Sequence, residues 1–558
     1  MIDDAAAEVS PGLRQPELVA EFQAQTAAAT EAEFLDQLAA LAIVPTQFSR
    51  DFLVDLLVDL EATGQTARAR SALPIVARAL ADVRAIGPAC LRLLVNLHFA
   101  LAVLLMKEVR KTHGGSFVTD ESLATALRYH YRFRCAALDR DGGASPAEQL
   151  ACLRSATADI ADAGEQVQLH DLIEPRIDPA FVAGNTEFTS EAITVSPPWL
   201  ADAAGRLEPA AHEAIRQRSL GFALLRDAIV IGCRSTIFFG DHLAVDDPLG
   251  NMAPAEFSPF GMESAYIGVV YGLAADAGGK RHLIARRPSP MQEIPRGIFL
   301  NGHYQYNYFH WLAEYLSQFT YVNEQAAYAD WPLLIGEEAL AHPNLVELLQ
   351  RLAGDQQRSV TVLRKDVAYR IGELLLPPKI SRVTLCHRRL DSRPEDYAFA
   401  PGAIQRLHRR LARPVAAPWR RLFLARKRND RLLNQDAVRA EFERAGFEAI
   451  HPEDLPFDQA CRLFGEAKVL AGVTGAAFTN LILCPPATTA ILMTTDLGRR
   501  AGFFSALAGP LGQRVIYLHG PGRQSEHTLS PFEIAPADVR SALAQVVPAE
   551  PTPPQEHA

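Results

Sequence analysis

The sequence predicts an α/β fold in which two Rossmann-like halves face each other across a cleft, preceded by an α-helical N-terminal domain and a small β-rich segment. From about residue 295 onward, short apolar strands alternate with helices, as in parallel sheets built from βα units. Residues 17–170 instead carry apolar positions at three- and four-residue spacing, which is typical of amphipathic helices. Between them, β-branched and aromatic runs separated by Gly, Asp and Pro predict strands and hairpins. The predicted boundaries are 1–170 for the helical domain, 171–410 for the β-rich lead-in and first Rossmann-like domain, 411–545 for the second Rossmann-like domain, and 546–558 for a Pro-rich disordered tail.

Composition narrows the class of protein. The chain has 558 residues, 48% apolar and 22% charged, which is ordinary for a soluble globular protein. Its net charge of −10 argues against a dedicated nucleic-acid binder. Seven scattered cysteines form no CxxC pair, so neither a zinc site nor a disulfide framework is indicated. The first residues lack the basic and apolar regions of a signal peptide. We therefore expect a cytoplasmic protein with no metal and no cofactor.

The most apolar run of the helical region covers residues 91–106. It is shorter than the ~20 residues that a bilayer span requires, and Asn96 and His98 interrupt it. The run therefore predicts a buried helix, and peripheral membrane contact stays open. No motif with evident chemistry occurs in 1–170, which favours an interaction or packing role for this domain.

The first candidate site opens the first Rossmann-like half. The strand RGIFLNG, 296–302, precedes the helix NYFHWLAEYLSQF, 307–319. Asn307, His310 and Glu314 fall on one stripe of that helix. Ligands of such sheets bind where strands end, and imidazole and carboxylate are the usual groups for proton transfer near neutral pH. The stripe predicts a catalytic group, and the alternative is a hydrogen-bonded structural stripe.

The second candidate site follows a strand at 421–425. It is followed by Arg426, Lys427, Arg428 and Arg431, and Asn434 stands where the next helix begins. Cations gathered at the carboxyl end of a strand, beside the positive end of a helix, suit a diphosphate. The alternative is a solvated basic loop.

The third candidate is the glycine-containing turn in KVLAGVTGAAFTN, 468–480. Gly472 and Gly475 permit close approach of the backbone, and the N–H groups at the start of the following helix can hold an anionic group. The turn is not GxGxxG, so a dinucleotide-binding fingerprint is absent.

Taken in order, these segments resemble glycosyltransferase family 61, the DUF563 group, over about residues 220–545. The family segment N-Y-x-H-W-L-x-E corresponds to residues 307–314 here. An arginine-ended strand, a further arginine and an asparagine then correspond to Arg426, Arg431 and Asn434, and the stretch 446–470 follows the family through GFE and PEDLPFDQACRLFGEAKVL. The last family segment is matched by Gly472, Gly475, Ala476, Thr479, Asn480, Pro485 and Pro486.

The resemblance implies a GT-B type enzyme that takes a nucleotide-sugar, most often a UDP-sugar, and inverts the anomeric carbon without a bound metal. It implies that His310 or Glu314 is the base, with Asn307 beside them. The implied donor-binding residues are Arg426, Arg431, Asn434, Gly472, Thr474, Gly475, Ala476 and Asn480. The acceptor would be a glycan, a lipid-linked glycan or a protein, and surface polysaccharide is the first expectation.

Two departures from the family pattern keep an alternative open. Thr474 stands where the family usually has His, and a Glu that normally ends the next strand is replaced by the run 493–495 followed by Asp496. The alternative is a catalytically weakened homologue that acts as a scaffold and binds a partner through its helical domain. An NAD-type oxidoreductase is disfavoured because no GxGxxG with a downstream acidic partner is present.

Overall fold

The computed structural model describes the second half of the chain almost completely and the first half in parts. The apolar run 91–106, residues 428 and 496 and the tail beyond Val546 lie outside the described residues. The described residues are 15–41, 52–53, 56–57, 59–60, 63–79, 147, 150–151, 154, 168–176, 178, 180–182, 192–193, 199–201, 207–209, 215–216, 221–245, 270–275, 278, 280–285, 287–354, 358–383, 397–427, 431–495, 502–520 and 531–546.

The chain divides into two compact units. The first unit comprises 1–172, 259–261 and 269–287, and the second comprises 173–258, 262–268 and 288–558. Each unit has its own strands and helices. The strands are β1 (Gln168–Leu172), β2 (Ala192–Ile193), β3 (Trp199–Ala201), β4 (Leu207–Pro209), β5 (Ile215–Arg216), β6 (Ala223–Ile231), β7 (Thr236–Phe239), β8 (His242–Val245), β9 (Val270–Ala275), β10 (Arg281–Ala285), β11 (Gln292–Phe299), β12 (Leu333–Gly336), β13 (Val360–Leu363), β14 (Ala368–Leu376), β15 (Ser381–Val383), β16 (Tyr397–Phe399), β17 (Arg420–Leu424), β18 (Glu448–Ile450), β19 (Ala467–Val473), β20 (Thr489–Thr495) and β21 (Arg514–Gly520).

Helices of three kinds connect these strands. Short 3₁₀ turns cover Ala326–Tyr328, Glu337–Leu340, Pro452–Asp454, Ala476–Leu483 and Gly509–Leu511, and a π-helix covers His310–Leu316. The α-helices are α1 (Gln15–Thr26), α2 (Glu31–Leu41), α3 (Thr66–Ala79), α4 (Ser317–Val322), α5 (Pro343–Ala353), α6 (Pro401–Leu411), α7 (Gln435–Arg444), α8 (Phe457–Gly465), α9 (Phe503–Ala508) and α10 (Pro536–Val546). Among the described residues, no helix combines the length and the apolar character needed to cross a bilayer.

The first unit contains α1–α3 and an antiparallel group of β1, β10 and β9. Helix α2 begins with a capping box, in which Glu33 accepts from the backbone N–H of Thr30 at 2.8 Å and Thr30 Oγ1 accepts from the N–H of Glu33 at 3.3 Å. The guanidinium of Arg68 lies 4.9 Å from the ring centroid of Phe34, which is fully buried. The contact between Arg68 and Phe34 joins α3 to the start of α2.

The first sheet of the second unit has parallel strands at one end, in the order β13-β12-β11-β14. β11 pairs in parallel with β12 and β14, and β12 pairs in parallel with β13. Every residue of β12 is buried, as expected for a parallel strand covered on both faces. β14 then continues antiparallel to β6, and β6, β7 and β8 form a meander. The predicted lead-in segment therefore extends the first sheet.

The second sheet of this unit has the order β18-β17-β19-β20-β21-β3-β4. β17 to β21 are parallel along their shared edges, as the alternating pattern predicts. β3 and β4, from 199–209, pair beside β21 and cover its backbone edge. The predicted α/β class is confirmed, and the domain boundaries stay a prediction.

Candidate active site

The segment that carries the predicted stripe is a π-helix, His310–Leu316, which continues as α4. π-helical turns are rare and occur often at functional sites. Its apolar side is deeply buried, with Trp311, Leu312 and Leu316 at 0% exposure. The indole N–H of Trp311 donates to the carbonyl of Leu345 at 2.9 Å. This packing fixes the helix against the first sheet and leaves the side of His310 and Glu314 half-buried.

His310 and Glu314 form a pair. The distance from His310 Nδ1 to Glu314 Oε1 is 2.7 Å, and the two side chains are 12% and 13% exposed. An ionised carboxylate only accepts hydrogen bonds, so opposite an ionised Glu314 a neutral imidazole would carry its proton on Nδ1 and its lone pair on Nε2. An imidazole oriented in this way by a carboxylate is the arrangement of a general base. Asn307 takes no part in the pair, because its Oδ1 accepts from the N–H of Phe309 at 2.9 Å at the start of the helix.

The loop between β11 and this helix is fixed by buried amides that the sequence stripe did not include. Asn301 Oδ1 accepts from the N–H of Cys233 at 2.8 Å, and its Nδ2 donates to the carbonyls of Ile231 and Arg234. Gln305 accepts from the N–H of Gly336 at 2.8 Å and donates to the carbonyl of Leu300. In the sequence, the sign of these buried amides is a run of polar residues directly after a buried strand, since a buried amide requires hydrogen-bond partners.

His303 lies in the same loop and is 6% exposed. Burial, together with the nearby charge of Arg234, lowers the pKa of His303 to about 3, so this imidazole is neutral at physiological pH. Its carbonyl accepts from the hydroxyl of Tyr315 at 2.8 Å. The two histidines of this region are therefore distinct: His303 is buried, and His310 is paired with a carboxylate.

Nucleophilic catalysis by a thiolate is disfavoured among the described cysteines. Burial raises the pKa of Cys233 and of Cys461 to about 11, and it raises the pKa of Cys484 well above its ordinary value. These thiols remain protonated near neutral pH. No group of three or more His, Cys, Asp or Glu side chains placed to hold a metal ion occurs in the described part of the chain.

The two predicted arginines converge on one backbone carbonyl. Arg431 Nη1 lies 3.1 Å from the oxygen of Thr474, and Arg426 Nη1 lies 3.4 Å from it. Thr474 is held by its own N–H, which donates to the carbonyl of Met493 at 2.9 Å. Within the described residues, no carboxylate lies at ion-pair distance from Arg426. Two positive charges therefore meet where β17 and β19 end.

Glycine is required at the two positions of the predicted turn for different steric reasons. A Cβ at Gly472 would lie 2.9 Å from the carbonyl oxygen of Leu424, so glycine allows β19 to approach β17. A Cβ at Gly475 would lie 3.2 Å from Arg426 Nη1, so glycine leaves room for the guanidinium. The segment after Gly475 is a 3₁₀ helix, and the half-buried Ala476 begins it and packs against the core.

Asn434 and Asn480 make structural contacts. Both ends of the Asn434 amide bond the backbone of Ile534, with Nδ2 donating at 2.8 Å and Oδ1 accepting at 3.3 Å. Asn480 Nδ2 donates to the carbonyl of Ala477 at 2.9 Å, and its Oδ1 accepts from the hydroxyl of Tyr308 at 2.9 Å. These contacts hold the loop of Arg431 and the 3₁₀ helix in place.

The Tyr308–Asn480 bond connects the two candidate regions. Tyr308 precedes His310 by two residues, and Asn480 lies on the 3₁₀ helix that follows Thr474 and Gly475. Phe309 packs edge-on against Phe504 at 5.9 Å between ring centroids, and Phe504 contacts Phe478 at 5.7 Å. The imidazole–carboxylate pair and the arginine-bearing turn thus belong to neighbouring elements of one packed unit.

His519 is a further histidine at this edge of the second sheet, where β21 ends, and it was not among the predicted site residues. It pairs in register with Thr494 of β20. The position follows from the strand order, which places the ends of β19, β20 and β21 side by side.

Comparison with known proteins finds one family model that covers most of these residues. Residues 308–491 match the family model described as Glycosyltransferase 61. The matched range includes His310, Glu314 and every predicted donor-binding residue, and it begins one residue after Asn307. A search of curated proteins finds no match.

Proposed function

Because the chain belongs to glycosyltransferase family 61 through residues 308–491, we propose that it transfers a sugar from a nucleotide-sugar donor, a UDP-sugar first, to an acceptor hydroxyl with inversion. The observation that carries this proposal is the paired His310 and Glu314, 2.7 Å apart, on an element bonded through Tyr308 to the helix that follows the arginine-bound turn. A base and a cluster of cations on neighbouring elements are the two requirements of such a transfer.

In the proposed reaction, the acceptor oxygen attacks the anomeric carbon from the face opposite the leaving group. The new carbon–oxygen bond forms as the bond between the anomeric carbon and the diphosphate oxygen breaks. Nε2 of His310 takes the hydroxyl proton, and Glu314 stabilises the imidazolium through Nδ1. The electron pair leaves with the nucleoside diphosphate. A single displacement of this kind inverts the anomeric configuration.

The proposed role of Arg426 and Arg431 is to neutralise the departing diphosphate. Both guanidinium groups already converge on the carbonyl of Thr474. Charge-assisted hydrogen bonds from arginine to phosphate are strong and geometrically specific. We propose that these groups, together with the backbone N–H groups near Gly475, do this without a bound metal.

The proposed architecture is of the GT-B type. Each sheet has a block of parallel strands, and the candidate groups follow strand ends: His310 comes after β11, Arg426 after β17 and Thr474 after β19. Ligands of α/β sheets bind at this edge. The acceptor-side residues would come from the first sheet and the donor-side residues from the second.

The acceptor is proposed to be a glycan, a lipid-linked glycan or a protein hydroxyl in surface polysaccharide biosynthesis, with the enzyme in the cytoplasm. One observation favours a second candidate, a weakened homologue that binds a partner through its helical N-terminal domain: Thr474 replaces the histidine that the family usually has. Thr474 contributes backbone atoms to the arginines, so the turn itself does not require that histidine.

Calorimetry with UDP, GDP, CDP and their sugars tests the two candidates. The transferase predicts binding of at least one nucleotide-sugar, weakened by Arg426→Ala and unchanged by EDTA. The matched control is Arg439→Ala, because Arg439 pairs with Glu443 on the exposed side of α7. Absence of binding across the panel contradicts the transferase and favours the scaffold.

NMR of the product tests the stereochemistry. With a donor that binds and a set of oligosaccharide acceptors, the coupling constant of the anomeric proton reports the configuration of the new bond. Inversion agrees with a single displacement assisted by His310. Retention of configuration contradicts it.

A further inference from the structure

The ring of Tyr304 packs near the rings of both histidines of the candidate active site. Its ring centroid is 3.9 Å from that of His303 and 5.4 Å from that of His310, with interplanar angles of 54° and 33°. Rings at such separations pack favourably in tilted or offset arrangements. The ring of Tyr304 therefore lies against the imidazole that Glu314 holds at Nδ1.

The backbone of Tyr304 is in the left-handed region, with φ of +58°. A residue with a large side chain avoids this region, which glycine adopts at no cost. Such strain persists only where the surroundings over-determine the conformation, and it is concentrated at functional sites. A tyrosine at this backbone position indicates that the ring itself is needed.

Several contacts with neighbouring residues fix the conformation of this loop. Asn301 and Gln305 lie on either side of Tyr304 in the chain. Their amides bond backbone atoms at the ends of β6 and β12. A Cβ at Gly302 would lie 2.2 Å from the hydroxyl of Tyr315, so the chain lies directly on that ring. The N–H of Asn307 donates to the carbonyl of Tyr304 at 2.9 Å, which closes the turn into the helix. The ring of Tyr304 consequently has a fixed place.

We propose that Tyr304 is a positioning residue for His310: its ring fixes the imidazole plane, so that Nδ1 stays on Glu314 and Nε2 is directed to the acceptor hydroxyl. This deepens the proposed function and rests on it. Glu314 holds Nδ1, and two aromatic rings pack on the imidazole: Phe309 edge-on at 5.2 Å between centroids and Tyr304 tilted at 5.4 Å. The ring of Tyr304 limits rotation of the imidazole about its Cβ–Cγ bond, and an imidazolium formed during transfer would also be attracted to the aromatic face.

Three variants separate the ring, the hydroxyl and the backbone strain. Tyr304→Phe keeps the ring and should keep kcat within about threefold of the wild type. Tyr304→Leu removes the ring but keeps a side chain on the strained backbone. Tyr304→Gly removes the ring and relieves the strain. We expect kcat to fall about 10- to 100-fold in the last two variants while KM for the donor changes less than about threefold, since the proposed role of the ring is to orient His310 and not to bind the donor.

Stability distinguishes positioning from a structural role. Tyr304→Gly should unfold at a higher urea concentration than Tyr304→Leu, because glycine relieves the left-handed backbone. The two variants should nevertheless lose kcat alike. A kcat that follows stability across the three variants, or a Phe variant as slow as the Leu variant, would overturn the proposal.

A second measurement does not depend on turnover. Nitrogen-15 NMR of the histidine side chains, with the His310 signal assigned from His310→Ala, reports which ring nitrogen carries the proton. We expect a single Nδ1–H form in the wild type and in Tyr304→Phe, and tautomer averaging in Tyr304→Leu. An unchanged single form in Tyr304→Leu refutes the positioning role, whether or not the chain proves to be a glycosyltransferase. Averaging in Tyr304→Leu without any transfer by the wild type would leave the positioning intact and refute the proposed function.

Discussion

The hydroxyl of Tyr308 donates a 2.9 Å hydrogen bond to Oδ1 of Asn480, across a sequence separation of 172 residues. Tyr308 opens the helix of His310, and Asn480 lies on the 3₁₀ helix that follows the arginine-bound turn. Burial raises the pKa of Tyr308 above its ordinary value, so this hydroxyl remains a donor. The bond connects the helix of His310 to the element that follows the arginine-bound turn.

Tyr308→Phe should lower the free energy of unfolding by about 1–3 kcal/mol, because Oδ1 of the buried Asn480 loses its donor. Urea unfolding measures the change. The control is Tyr306→Phe, since Tyr306 is 49% exposed and water replaces its hydroxyl contacts. Equal stability of the two variants would show that the bond contributes nothing to folding.

His310→Ala and Glu314→Ala should each reduce turnover about 100- to 10,000-fold, the range for loss of a general base or of the group that orients it. Initial rates at saturating donor measure the effect. His342→Ala and Glu347→Ala are matched controls, because the first residue caps α5 and the second pairs with Arg351 on that helix at the same i,i+4 spacing. If both site variants stay within about threefold of the wild type, the base is another group.

Gly475→Ala should weaken donor binding about tenfold or more, because the added methyl group displaces the Arg426 guanidinium. Its stability should change by less than about 1 kcal/mol, since the flexible end of an arginine can move. Gly472→Ala should instead cost about 1–3 kcal/mol of stability, because its Cβ meets the backbone of Leu424. Calorimetry and urea unfolding separate the two effects. Reversed effects, with donor binding lost only in Gly472→Ala, would place the diphosphate elsewhere.

His303 should make stability depend on pH. Its pKa falls from 6.5 to about 3 on folding, so between these values the unfolded chain binds a proton that the folded chain does not, and acid favours unfolding. From pH 7 to pH 5 this residue should lower the free energy of unfolding by about 2 kcal/mol. Urea unfolding at both pH values should show a decrease in His303→Gln that is smaller than the wild-type decrease by about this amount. Parallel pH dependence in His303→Gln would contradict a neutral, buried imidazole.

The parallel strands of both sheets could be predicted from the sequence because short apolar runs, such as the one at β12, alternate with helical segments and are bounded by Gly and Pro. The pairing of β3 and β4 beside β21 could not, because the partners are far apart in the chain and no local pattern encodes the choice. The π-helix was also missed, since the spacing of His310 and Glu314 fits an α-helix equally well.

Residue types in the candidate site were easier to predict than their partners. His310, Glu314, Arg426 and Arg431 carry charges or titrate, so their chemistry is visible in the sequence. The contacts of Asn434 and Asn480 with Ile534 and Tyr308 depend on tertiary packing, and the same amides could equally have faced a ligand. The strained Tyr304 leaves no trace in composition, because a left-handed tyrosine is enforced by its neighbours.

The most direct test of the central claim is a crystal structure with a bound nucleotide-sugar, in which the distance from the anomeric carbon to Nε2 of His310 is measured. The account predicts diphosphate oxygens within about 3 Å of Arg426 and Arg431 and an anomeric carbon about 5–6 Å from Nε2, which leaves room for one hydroxyl between them. A diphosphate bound away from both arginines, or an anomeric carbon more than about 10 Å from Nε2, would contradict it.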